Sequence, residues 1–144
     1  MSDPTRYATR WFVEPARDRP WIMTADAVIA AIADRPGAHH KERVPGLLGF
    51  GFRIQDWDFQ GIYDLETGAL HIGTCDARAA AEVLTTWFLG LLPTDVRIVF
   101  NTEDGVENGY GDTDFTIPRN AGLGPVHRAL TDHLAHVWAP HQPA

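Results

Sequence analysis

Two groups of carboxylates and one cysteine are the residues whose types and spacing could do chemistry. Between Glu103 and Asp114 the chain carries five acids, Glu103, Asp104, Glu107, Asp112 and Asp114, with Tyr110 among them and no base. Several carboxylate and carbonyl oxygens on one loop are what a hard cation such as calcium binds. The spacing does not supply that site. An EF-hand loop takes ligands at alternate positions, a glycine at the sixth and a glutamate at the twelfth, and no frame starting at Asn101, Glu103 or Asp104 provides them. What remains is an acidic surface suited to a positively charged partner.

Asp56, Asp58 and Asp64, with Glu66 close behind, form the second group. On a strand, Asp56 and Asp58 would point to one face about 7 Å apart, a separation open to a carboxylate pair in acid–base or glycosidic chemistry. No other residue selects that reaction, and a solvated sheet face that discourages edge pairing accounts for the acids equally well. Cys75 stands at the expected start of a helix, where the macrodipole can lower a thiol pKa, and His71 is the nearest base. A cysteine hydrolase needs that pair held together by a third group, and no such signature surrounds it. His133 and His136 are spaced i, i+3 without the glutamate of a zinc-protease helix, so most histidines of the last helix are expected to face water. No metal ligand set and no phosphate-binding glycine motif is present, and no cofactor is expected.

The elements that must position these groups follow from periodicity. Tyr7 to Val13 reads as an edge strand closed by Glu14-Pro15. Thr24 is placed as the N-cap of a helix in which Ala25, Val28, Ile29 and Ile32 share a face. Residues 36–45, PGAHHKERVP, read as a polar linker. From 47 to 73 the period becomes two: Leu48, Phe50, Phe52 and Ile54, then Trp57, Phe59, Gly61 and Tyr63, then Leu70 and Ile72 describe a three-stranded meander, with a glycine-closed turn at residues 64–68. Asp76, or Thr74, caps a helix whose stripe is Ala80, Val83, Leu84, Trp87, Phe88 and Leu91, stopped by Gly90 and Pro93. Val96 to Phe100 and Thr113 to Ile117 then form a hairpin around the acidic loop, and Leu123, Val126, Leu130, Leu134 and Val137 line a last helix. Of five tryptophans, Trp57 and Trp87 belong to core stripes, while Trp11, Trp21 and Trp138 lie near element ends as candidate contact anchors.

The expected fold is α+β: one domain over 1–144 with an antiparallel sheet of five to six strands, a central meander plus a hairpin, covered by about three helices. Length and composition allow it, since 144 residues with 44% hydrophobic and 22% charged side chains can bury a sizeable core. The single cysteine excludes an internal disulfide, and neither a signal peptide nor a membrane span is legible, so a cytoplasmic location is expected. Eleven of the twelve bases are arginine, the usage of a GC-rich bacterial genome. Charge is uneven. Residues 1–53 hold eight bases and six acids, a balance of +2, and residues 54–144 hold four and thirteen, a balance of −9. That acidity opposes nucleic acid and anionic lipid and would steer a basic protein partner. The function expected from sequence is therefore a non-enzymatic, acidic protein-binding module. An immunity- or inhibitor-type protein that neutralises a basic partner such as a toxin is its first form. Its partner-binding residues are Glu103, Asp104, Glu107, Tyr110, Asp112 and Asp114 with Asp56, Asp58 and Glu66. The alternative is a small hydrolase-like enzyme or ligand-binding protein with a pocket around Asp56, Asp58, His71 and Cys75. If the meander lies beside the hairpin, the two acidic groups merge into one patch.

Overall fold

A computed structural model of the chain describes residues 8–138. Tyr7, the side chain of Trp138 and His141 lie outside the described residues. The strands are β1 (Thr9–Pro15), β2 (His39–Val44), β3 (Leu47–Ile54), β4 (Trp57–Asp64), β5 (Leu70–Cys75), β6 (Ile98–Thr102) and β7 (Phe115–Thr116). The helices are α1 (Ala25–Ile32), α2 (Ala77–Val83), α3 (Glu103–Gly105) and α4 (Leu123–Trp138). All strand pairs are antiparallel, in a seven-stranded sheet of order β2-β3-β4-β5-β1-β6-β7. The α+β class and the meander are as the periodicity predicts.

Two expectations change. β1 is not an edge strand: it pairs with β5 through Trp11↔Ile72 and with β6 through Trp11↔Thr102. Residues 39–44 are a strand and not a linker, which raises the count to seven. All six residues of β2 are exposed, so no apolar alternation marked it; it is held by pairing to β3 (His39↔Gly51, Lys41↔Gly49).

The core lies on one face of the sheet. Trp11, Val13, Phe50, Phe52, Phe59, Tyr63, Leu70, Ile72, Ile98 and Phe100 point to it and are buried. Helices α1, α2 and α4 cover them with Val28 and Ile32, with Ala80, Leu84 and Phe88, and with Val126, Leu130 and Leu134. Trp87 stands among Phe50, Phe52 and Phe59 at centroid distances of 5.3 to 6.2 Å, and its indole N–H donates to the Ala31 carbonyl, which ties α2 to α1. Trp11 is fully buried, so it is no contact anchor; its N–H donates to the Cys75 carbonyl at 3.0 Å.

Helix ends are set by the predicted caps. The side chains of Thr24 and Asp76 accept from the amides of Ala27 and Ala79. Beyond Val83 helix α2 widens into a π turn over Leu84–Phe88 and tightens over Leu89–Leu91. There the hydroxyls of Thr85 and Thr86 donate to the carbonyls of Ala81 and Glu82, competing with the helical ladder. Among the described residues no helix is long and apolar enough to cross a membrane.

The β4–β5 turn shows how tightly connections are specified. Asp64 Oδ1 accepts from the amides of Glu66 and Thr67, and Gly68 takes a φ of +80° with the Trp21 carbonyl 2.4 Å from where a Cβ would sit. Substituting Gly68→Ala adds left-handed strain to that clash, and a loss of about 2–3 kcal/mol in denaturant unfolding is expected.

Candidate functional site

Helices α1, α2 and α4 pack on one side of the sheet. Among the described residues the opposite face lies outside that cover, meeting a helical turn at Asn101, whose side chain donates to the Tyr110 carbonyl, and its side chains can be read row by row from the strand register. One row across six strands is Lys41, Gly49, Ile62, His71, Phe12 and Asn101. A parallel row contains His39, Gly51 and Gln60. Ile62 is 42% exposed and Val44, at the end of β2, 55%. Phe12 is half-buried and meets the His71 ring edge-on at 5.2 Å. Burial holds the His71 imidazole below its ordinary pKa, so it is neutral near pH 7.

This open face holds two concavities. The larger, about 870 Å³, runs over β2 to β5. Its charged or titratable lining is Arg10, Lys41 and Arg43 with His39, His40 and His71, and no carboxylate lines it. Its floor is shallow in side chains because β3 and β5 place Gly49 and Gly73 there. Beside them Gly51 carries the His39 ring, which comes within 2.8 Å of where a Cβ would be. The smaller concavity, about 340 Å³, lies over β1 and β6, bounded by Glu14, Asp112 and Asp114, with Arg17 as its one base. Phe12 lines both. The face is thus apolar in the middle, basic on one flank and acidic on the other.

The acidic segment is not an open hairpin loop. Thr102 caps it, its hydroxyl oxygen accepting from the Gly105 amide, and Glu103–Gly105 and Val106–Tyr110 wind into helical turns. Of its three glycines only Gly109 takes a positive φ. Asn101 and Asn108 donate side-chain N–H bonds to the carbonyls of Tyr110 and Val137. Asp112, in the turn closed by the Thr113 amide on the Tyr110 carbonyl, and Asp114 after it are both exposed and wall the open face. The return strand shortens to β7, where Val99↔Thr116 and Phe100↔Phe115 pair.

Beneath this segment lies a histidine that periodicity assigned to water. His133 is 3% exposed, with Nε2 2.8 Å from the Thr102 hydroxyl and its ring against Phe115 and Phe100 at 4.3 and 4.9 Å. Its Nδ1 is buried without a partner. His133 occupies the turn of α4 before Val137 and beside Leu130 and Leu134, so it shares their buried face. Tyr110 stacks on Phe115 and on His136, which fastens the acidic turn to α4 rather than presenting the tyrosine freely.

The remaining predicted site residues do not converge. Asp56 is in the two-residue turn between Ile54 and Trp57, so it and Asp58 are not alternate residues of one strand. Glu66 sits in the turn at the other end of β4, about 20–25 Å away by strand rise. Asp58 on β4 is three strand positions from Glu103 after β6, about 14 Å across the sheet, so the two acidic groups form separate patches. Glu103 is paired with Arg10 at 3.5 Å and Glu107 is exposed. Asp104, half-buried, lies close enough to His133 to act on its charge. Cys75 packs against the core, and burial pushes its thiol up to about 12, helped by Asp76. It therefore carries no thiolate near neutral pH, and the helix-start activation anticipated for it does not arise. His71 opens onto the other face. Among the described residues no three His, Cys, Asp or Glu side chains are grouped to hold a metal.

The chain matches no protein-family model, and neither a curated protein nor a solved structure is significantly similar to it.

Burial lowers the His133 pKa from 6.5 to about 4, with His136 adding repulsion and Asp104 a smaller opposing pull. The folded value lies below the unfolded one, so the unfolded chain takes up the proton first. Stability is whole above about pH 6.5 and falls towards pH 4, by on the order of 3 kcal/mol from this group. Denaturant unfolding at stepped pH should show that decline, and His133→Leu should flatten it.

Proposed function

We propose that this protein is a non-enzymatic protein-binding module whose docking surface is the uncovered face of its sheet. The observation that carries this is the exposure of Ile62 in the row that runs through His71 to Phe12, apolar side chains in the middle of a face flanked by charge, with Val44 exposed at its β2 edge. A monomer gains nothing by leaving such a face to water, and exposed apolar patches rimmed by polar groups mark interaction sites. The acidic flank, Glu14, Asp112 and Asp114, with Glu103 and Glu107 beyond it, gives the partner's chemistry: a basic surface, as the balance of −9 over residues 54–144 implied. Charge would steer the encounter, and burial of Phe12 and Ile62 would supply most of the affinity. This moves the centre of the contact from the acidic turn to the sheet and keeps Asp112 and Asp114 as its rim.

The enzyme alternative receives no support from the placement of Asp56, Asp58, His71 and Cys75: of the four, His71 alone lines either concavity of the open face. A photo-crosslinking side chain at position 62, on the open face, should capture a discrete protein adduct in the cells that make this protein. The same group at Arg128, exposed on α4, should not. Asp112→Asn with Asp114→Asn should reduce the adduct several-fold. Equal labelling from both positions, or none from 62, would contradict the proposal.

A further inference from the structure

The open face carries, on its own other flank, the basic surface that its acidic flank calls for. We infer that the partner seated on this face is a second copy of the chain, packed sheet to sheet about a two-fold axis that runs parallel to the strands between β4 and β5. This rests on the docking-face reading and names its occupant.

Charge chooses the axis. A two-fold axis lying in the interface along the strands exchanges left and right across the sheet. It lays the basic concavity over β2 to β5 of one copy against the Asp112–Asp114 wall of the other, and does so twice by symmetry. An axis across the strands would instead set Lys41 and Arg43 against their own copies, with like charges opposed on both flanks. The apolar centre fits the first arrangement. Ile62 on β4 then faces His71 on β5 of the other copy, and Phe12 on β1 faces the glycine floor of its trough at Gly49.

Shape points the same way. The basic trough is recessed because Gly49 and Gly73 contribute no side chain to its floor, and the acidic segment at 111–114 stands as a wall over β6. A wall on one copy entering a trough on the other is the complementarity an isologous pair needs. The six strands from β2 to β6 span about 24 Å, with strands of five to eight residues. That is enough for an interface of the standard size, near 800 Å² per partner. The net charge of −7 per chain opposes pairing at long range, so the local match must overcome it.

Sedimentation velocity over a concentration series, with two charge-reversed variants, decides the matter. The wild-type chain should be dimeric. Lys41→Glu with Arg43→Glu, and separately Asp112→Lys with Asp114→Lys, should each weaken the dimer ~100-fold or more while circular dichroism shows both folded. Mixing the two variants should restore a dimer holding one of each. A wild-type chain that stays monomeric, variants that dimerise like the wild type, or a mixture that stays monomeric overturns the inference. A monomer that still forms adducts with another protein from position 62 removes the second copy and leaves the docking face standing. Loss of those adducts as well removes both.

Discussion

The structure depends on where its first strand goes. β1 enters the middle of the sheet, between the meander β2–β5 and the pair β6–β7, and joins two blocks that are otherwise separate in the sheet. Its inward residues, Trp11 and Val13, are buried, and Trp11 spends its one polar group on the Cys75 carbonyl. Its outward residues are Arg10, Phe12 and Glu14, a base, an aromatic ring and an acid in order along one strand. Phe12 lines both concavities, so the basic and acidic flanks of the open face meet at β1. Closing the sheet and laying out the open face are two consequences of one insertion.

That arrangement divides the labour between faces. The helical side is aromatic, with Trp87, Phe50, Phe52 and Phe59 in mutual edge and tilted contacts. Among its buried polar groups, the Tyr63 hydroxyl accepts from the Met23 amide, and Thr102 with His133 holds the acidic turn on α4. On the other face glycines at 49, 51 and 73 thin the surface, and charge of both signs is carried around Phe12. There His39 is held by the Gly37 carbonyl and the Gln60 side chain, and Arg10 by Glu103.

How much of this was legible in the sequence depends on which physical signal each part carries. The meander, the caps at Thr24 and Asp76 and the Gly68 turn were readable because burial on one face imposes a period of two and orphan helix amides demand an oxygen. β2 was not, since HHKERV has no buried face to write a pattern and is fixed only by pairing with β3. The central place of β1 was hidden for a different reason: strand order is a matter of long-range pairing, and a short run ended by Pro15 looks the same at an edge or in the middle. His133 was misplaced because a helix stripe read from apolar residues alone omits a buried ring that a threonine partners. The acids at 112 and 114 were correctly singled out as surface. Their relation to the bases of β2 could not be read from sequence, because some seventy residues separate them along the chain.

The account stands or falls on whether the face opposite the helices meets another protein. Oxidative footprinting of the chain, once dilute in buffer and once in an extract of the cells that make it, addresses this without altering a residue. Phe12, His71 and Ile62 should lose reactivity in the extract, while His127 on α4 and Trp21 before α1 keep theirs. Protection of the helical side with Phe12, His71 and Ile62 unchanged would contradict it.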